Sequence, residues 1–417
     1  MIAEIVSVGN ELLDGTKQNT NAIWLADRLL KAGIQIKWIT SVGDEADSIQ
    51  AAISQAMARA RIVLVTGGLG PTPDDVTKES LAILFDCRLA ENAGIKDHIL
   101  NLFAQRGIPM PKVNLKQAMV PEGAKILHNK IGTAPGFHFA RGDSHCFVMP
   151  GVPAEMRRMT EKDVLPILEK RFGGNKEAII YETARTTGIF ESSLSEKLSP
   201  LEDITENAEL AFLPHLYGVD LRIRVVGSDK HDARTCLQNA IETISDRISS
   251  HIYEIGDRSL EEVVADLLIE KQKTVAVAES CTGGLLASLL TNISGSSAYF
   301  LGGVVAYDNS VKTHLLGVKE STLENYGAVS EESAREMAVG VKNLTGADLS
   351  VATTGIAGPT GGTEEKPVGL IYVAIASSRE ILVKKFIFHR ERIINKSRFT
   401  YAALNLLRQL LLAESPA

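Results

Sequence analysis

Through the first 168 residues, short apolar runs alternate with longer segments whose apolar positions recur every three or four residues. AEIVSVG precedes a helical pattern over 21–32, IQIKWITSVG one over 46–60, and RIVLVTGG one over 76–85. β-Branched runs ending in glycine and alternating with amphipathic helices predict parallel βαβ units with helices on both faces. Ligands of such sheets sit beyond the carboxyl ends of the strands, which is where this chain places its polar, Gly-rich turns.

The rhythm breaks at LEKRFGGNKEA, where charge and a glycine pair mark a linker. Residues 179–251 read as a strand, a helix through ESSLSEKLSPLED, a strand pair around AELAFLPHLYGVDLRIRVVG and a helix over 232–249, together a small α+β unit. A helix over 260–270 then leads into KTVAVAESCTGG and a third α/β region. Its strands are expected in AYFLGGVVAY, DLSVATTGIAG, GLIYVAIAS and ILVKKFIF, and its last helix in TYAALNLLRQLLL. The expected domains are therefore 1–168, 175–251 and 257–417.

A chain of 417 residues suits two or three domains. Acidic residues exceed basic ones, 51 to 44, so no dominant basic surface is expected and a nucleic-acid role would need a local patch. Cys87, Cys146, Cys236 and Cys281 are scattered without a CxxC pair, which suggests neither a zinc cluster nor a disulfide framework and fits a reducing cytosol. The N-terminal run reads as a strand without a basic leader, and no run reaches the roughly 18 apolar residues of a span. A cytoplasmic protein without membrane insertion is expected.

Two segments carry candidate chemistry. In TGGLGPTPDDVTKES a Gly-rich turn follows a strand and precedes Asp74, Asp75 and Thr77. Glycine lets backbone approach a phosphate, and paired carboxylates suit a hard divalent ion. The turns GNELLDGTKQNTN, with Glu11 and Asp14, and SVGDEAD, with Asp44, fall at the same sheet edge; NKIGTAPGF and VMPGVPAEM add rigid, pocket-shaping loops. In the last region, a strand, a turn of small residues and a helix place Ser280 or Cys281 at a helix start, where N–H groups favour an oxyanion. Tyr307, Asp308, Asn309 and Lys312 follow the next strand, and a crowded lysine can act as general base for a serine. His314 reads as structural. TTGIAGPTGGTEEKPVG adds Gly355, Gly358, Gly361 and Gly362 for a phosphate, with Thr353 and Thr354 as donors. TGxxGPT occurs in both segments, at 66–72 and 354–360, which reads as convergence on anion binding rather than duplication.

TGGLGPTPDDVT, GNELLDGTKQNTN and PGVPAEM resemble the molybdopterin-binding-like domain of the CinA family. AESCTGG, GGVVAYDNSVKTHLLGV, YGAVSEESAREMA and TTGIAGPTGGTEEKPVGLIYVA resemble its C-terminal, nicotinamide-nucleotide amidase domain. The first resemblance implies hydrolysis of ADP-ribose to AMP and ribose 5-phosphate with a divalent ion of the Mg²⁺ or Co²⁺ class. Asp75 is then the first choice of ligand, with Asp74, Glu11 and Asp44 behind it, and Gly67, Gly68, Gly70 and Thr72 cradle phosphate. The middle unit resembles a KH-like module. It has no GXXG loop, and Arg222 and Arg224 read as a solvated face, so nucleic-acid binding is not expected.

The last resemblance implies hydrolysis of NMN to nicotinate mononucleotide and ammonia without a metal. Ser280 becomes the nucleophile, Lys312 the base and Tyr307 an orienting group. Substrate contacts fall on Cys281, Thr282, Gly283 and Gly284, on Asn309, Thr353, Thr354, Gly355, Gly358, Gly361 and Gly362, and on Arg392. The family also suggests a homodimer. Lys396 stands where the family pattern has a second arginine, with Arg398 two residues on, and Glu279 has no assigned role. The competing expectation is a non-catalytic protein that binds molybdopterin or a competence or DNA-repair partner.

Overall fold

The computed structural model describes residues 1–172, 178–206 and 208–413. Two compact units divide the chain: Met1–Tyr181 with Gly227–Ala233, and Glu182–Val226 with Arg234–Ala417. The expected start of the middle domain, at 175, lies outside the described residues.

The first unit holds a six-stranded sheet in the order Gln35–Val42, Ile2–Val8, Ile62–Thr66, Ser144–Met149, Gly136–Arg141, Lys125–Leu127. The first four strands are parallel and the last two join antiparallel. Only Gly142 and Asp143 separate Gly136–Arg141 from Ser144–Met149, and two residues can close a hairpin but not a helical crossover. The central strand Ile62–Thr66 is buried throughout and feeds two cores. Val63 and Val65 pack with Ile49 and Ile53 of helix Ala46–Arg59, while Ile62 and Leu64 pack with Leu25 and Leu29 of helix Thr20–Lys31. That two-sided burial is why the run is continuously apolar rather than alternating.

In the second unit a five-stranded sheet runs Phe300–Val305, Val275–Glu279, Leu349–Gly355, Leu370–Ala376, Ile381–Ile387. Three parallel strands are again followed by two antiparallel ones. Val275 and Val277 face Phe399 and Leu407 of the terminal helix Arg392–Ala413, and Ala276 and Ala278 face Met337 and Val341 of helix Glu331–Thr345. The KH-like sheet has the order Glu209–His215, Gly218–Gly227, Ala178–Thr186, Ile252–Ile255. Tyr217, in its hairpin turn, stacks on Tyr401 at 3.6 Å between ring centroids, and Arg408 donates to the carbonyls of Ile252 at 3.0 Å and Ser250 at 3.2 Å.

Two expected helices differ in extent. The one read through 191–203 is split into Glu191–Leu198 and Glu202–Thr205, because Pro200 lacks an N–H and drives Ser199 to an extended ψ of 141°. The terminal helix starts at Arg392, a full two turns before the apolar run from Thr400. Among the described residues no helix is long and apolar enough to cross a membrane.

Candidate active sites

Strand Val275–Glu279 lies between Phe300–Val305 and Leu349–Gly355, with Glu279 level with Val305 on one side and Thr353 on the other. The parallel register delivers Ser280, Tyr307 and the Thr353 region to one edge of the sheet. Ser280 N–H is fixed to the carbonyl of Thr353 at 2.9 Å, and the Thr282 and Thr353 hydroxyls share a buried hydrogen bond of 2.8 Å. Thr354 donates its hydroxyl to the carbonyl of Ala328 at 2.6 Å. Both threonine hydroxyls expected at a phosphate are therefore engaged within the protein.

Lys312 lies on helix Asn309–Leu316 and is 1% exposed, its ammonium donating to the Tyr307 carbonyl at 3.0 Å. Burial pushes its pKa below the ordinary lysine range, opposed only in part by the charge of Asp308. Asp308 caps the same helix through the N–H of Ser310 at 2.8 Å, and Asn309 at its first position is exposed. Cys281 is buried and its thiol is pushed up to about 12, so at neutral pH it holds essentially no thiolate. Of the two nucleophile candidates, burial disarms the cysteine and leaves the half-buried Ser280.

Arg392 ties three elements together. Its guanidinium donates to the Tyr307 hydroxyl at 3.0 Å and to the Gly358 carbonyl at 2.7 Å. One turn on, Lys396 lays its ammonium against the 280–284 turn: a Cβ on Gly283 would stand 3.3 Å from Nζ. Arg398 instead lies 5.8 Å over the Phe388 ring. The lysine, not the following arginine, thus occupies the position facing the turn. The glycines of the third loop serve the fold first. A Cβ on Gly355 would meet the Leu370 carbonyl at 2.5 Å, one on Gly358 the Val368 side chain at 2.5 Å and one on Gly362 the Val368 nitrogen at 2.8 Å, while Gly361 is comparatively open.

At the first unit's sheet edge, Gly67 has φ 109° and a Cβ there would lie 2.2 Å from the Val8 carbonyl; one on Gly68 would lie 2.1 Å from the Thr77 hydroxyl. Gly70 leaves room for Asp75, whose carboxylate turns back into its own loop and accepts from Thr72 N–H at 2.9 Å and from the Thr72 hydroxyl. Asp74 is held below the usual carboxylate range by hydrogen bonding to Thr72. Asp44 accepts from Asn10 N–H at 2.9 Å, and Glu11 pairs with Lys17 at 3.7 Å. Burial raises the Asp44 pKa, the Asn10 hydrogen bond opposes this, and the charges of Glu11, Asp74 and Asp75 raise it further. The four expected ligands therefore share one field. Among the described residues, however, no three His, Cys, Asp or Glu side chains converge to hold a metal ion.

Other buried or pocket-lining polar groups of the first unit were not legible in the sequence. Lys78 is 9% exposed, donates to the Lys116 carbonyl, and has its pKa lowered chiefly by burial, with Asp75 among the charges it senses. A cavity of about 210 Å³ is lined by His98, His128, Lys130 and Thr133 among others, and Asn129 at its wall donates to Glu155 at 2.6 Å. Of the two loops expected to shape pockets, NKIGTAPGF contributes to this lining through Asn129, Lys130, Thr133 and Pro135, and VMPGVPAEM does not, though its Glu155 accepts from Asn129. In the middle module Arg224 is ion-paired with Glu209.

Family models match all three regions: a probable molybdopterin binding domain over residues 4–170, a damage-inducible protein CinA KH domain over 182–253 and a CinA C-terminal domain over 257–411. A Caldicellulosiruptor saccharolyticus protein, provisionally named competence-damage inducible protein, is 43% identical over 412 residues, covering 99% of this chain and 100% of its own. A CinA-like protein of Chloroherpeton thalassium is 42% identical over 420 residues, covering 99% of each. Among solved structures, the protein CinA of Thermoplasma acidophilum is 32% identical with a TM-score of 0.36, over 41% of this chain and 96% of that one.

Proposed function

The chain belongs to the CinA-like family, and from that premise we propose that it is a two-site hydrolase of pyridine nucleotides, an NMN amidase in its C-terminal domain and an ADP-ribose pyrophosphatase in its N-terminal one. The observation that carries the first activity is Lys312, a buried lysine of lowered pKa that lies on the helix after Tyr307 and donates to the Tyr307 carbonyl at 3.0 Å.

On this reading the Ser280 hydroxyl attacks the carboxamide carbon of NMN, and neutral Lys312 takes its proton as the O–C bond forms. N–H groups of the 281–283 turn receive the oxyanion. Lys312 returns the proton to the amide nitrogen, the C–N bond breaks and ammonia leaves. Water then cleaves the acyl-serine by the same route, yielding nicotinate mononucleotide and restoring Ser280. Arg392 and Lys396 supply positive charge for the ribose phosphate, with Tyr307 held in place by Arg392.

In the first unit, Glu11, Asp74 and Asp75 place their negative charge around Asp44, and on this reading a divalent ion would be held by one or two of these carboxylates, Asp75 and Asp44 first, together with substrate phosphates. Such an ion, when bound, would neutralise pyrophosphate charge. The Gly67 and Gly68 backbone and Thr72 would seat the phosphates. This reading takes the protein to be a cytoplasmic homodimer acting on small nucleotides without nucleic acid. A molybdopterin-binding first domain is the alternative, favoured by the family model over residues 4–170.

The test is ammonia release from NMN and AMP release from ADP-ribose, each with and without EDTA. Chelation should abolish the second and spare the first. NMN left intact by the wild-type protein would sink the amidase reading, and tight pterin binding without AMP release would favour the alternative.

A further inference from the structure

Glu279 takes no part in the chemistry above, yet it is fully buried at the end of strand Val275–Glu279. Its carboxylate accepts three backbone hydrogen bonds from beyond the turn: Gly284 N–H at 2.9 Å, Leu286 N–H at 3.1 Å and Ala287 N–H at 2.8 Å. Helix Leu285–Thr291 begins after Gly284, at φ 94°, which offers no side chain for a cap. Glu279 performs the capping from five residues upstream. A buried carboxylate is costly unless hydrogen-bonded, and here both oxygens are satisfied by N–H groups at a helix start.

This arrangement sorts the N–H groups of the turn. Ser280 N–H goes to the Thr353 carbonyl at 2.9 Å and Leu285 N–H to the Thr282 carbonyl at 3.4 Å, while Glu279 takes Gly284, Leu286 and Ala287. Gly284 N–H, expected to face the substrate, is thereby withdrawn from it and held from behind the turn. The turn is also closed at both ends, since the chain leaves the strand at Glu279 and is fastened to the same side chain at Gly284. An N-cap serine could bond one N–H but could not join the strand end to the helix start.

We propose that Glu279 is a positioning residue for the reaction, fixing the Ser280 nucleophile and the orientation of the 281–283 N–H groups from behind the turn. The proposal rests on the amidase reading of Ser280. Glu279→Gln keeps the size of the side chain but turns an NH₂ toward N–H donors, so the turn is released on one side. Glu279→Asp keeps both carboxylate oxygens on a stem one methylene shorter.

The experiment uses the full chain and two readouts: kcat and KM for ammonia release from NMN, and the rate at which an alkyl fluorophosphonate labels Ser280, located by mass spectrometry. Glu279→Gln should lower kcat and the labelling rate together by about 100-fold, the scale of a lost oxyanion contact, with KM within about threefold of wild type. Glu279→Asp, with its shorter stem, should recover part but not all of both. Wild-type kcat and labelling in Glu279→Gln would overturn the proposal, as would a loss that appears only in KM. If Glu279→Gln does not fold, Glu279→Asp decides: reduced kcat at unchanged KM supports the role and wild-type kcat overturns it. A wild-type protein labelled at Ser280 but inert toward NMN would sink the substrate reading while labelling of the variants still judges Glu279. Wild type neither labelled nor active would remove both.

Discussion

The same seven-residue pattern, TGxxGPT, enters both sites and does different work in each. At 66–72 the chain turns immediately after strand Ile62–Thr66, with Gly67 at φ 109° and Gly68 at φ 64°, and Thr77 N–H returns to the Gly68 carbonyl at 3.2 Å to start a helix. At 354–360 Gly355 still belongs to a strand paired with Ile371, positive φ waits until Gly358, and the chain closes as an antiparallel connection to Leu370–Ala376. The residues downstream of the pattern decide its fate. TPDDVTKES supplies a helix start, whereas GGTEEKPVG supplies a turn bonded between Thr363 and Lys366 at 2.9 Å.

The two sites differ in the same sense. In the C-terminal domain the polar groups are already tied to one another, from Glu279 behind the turn to Arg392 across Tyr307 and Gly358. In the first unit the carboxylates bond locally, Asp75 to Thr72 and Asp44 to Asn10, and share a field rather than a coordination shell. Covalent catalysis by a serine requires its partners in place beforehand, while a charged site can be completed by the phosphates and cation it receives.

The most severe test of that contrast is Ser280→Ala, which should cut ammonia release from NMN by at least about 10⁴-fold and leave ADP-ribose hydrolysis at its wild-type rate. Equal loss at both sites in a kinetic assay of each would show them to be one. Next, Lys312→Met should reduce amidase kcat by about 10²- to 10⁴-fold. The sign of the pH effect follows from burial: only neutral Lys312 accepts the proton, so kcat/KM should climb with pH through its lowered pKa and level off below the ordinary lysine range. A pH profile of the wild type that still climbs at the ordinary lysine pKa would contradict the burial of the base.

Asp75→Asn or Asp44→Asn should lower AMP release from ADP-ribose on the order of 100-fold and leave ammonia release from NMN unchanged. The smallest effects concern the shared pattern. Gly67→Ala should destabilise the first unit by about 2–3 kcal/mol, because it combines positive φ with a Cβ 2.2 Å from the Val8 carbonyl. Gly361→Ala, strained at φ 89° but with only the Ile356 side chain nearby at 3.8 Å, should cost about 1 kcal/mol. Denaturant melts of the two variants would reverse the ranking if Gly361→Ala proved the worse.

Strand and helix identity was legible in the sequence because burial on two faces imposes its own period: IVLV and VAVA are continuous apolar runs, each on a strand flanked on both sides in its sheet. The resemblance also named Ser280, Tyr307 and Lys312 as one candidate set. Extents failed where local chemistry competed, as at Pro200, or where a helix's first turns are polar and bonded to neighbouring loops, as with Arg392. The order of residues was enough to say which strands form, which turns come after them and which polar residues those turns carry. How those residues are spent was settled by the folded arrangement: Cys281 is silenced, Lys312 is buried, Thr354 bonds Ala328 and Glu279 holds the turn. Burial and hydrogen-bond partners come from residues distant in the chain, and a hydrogen bond or a shifted pKa belongs to a pair or a surrounding, not to one residue.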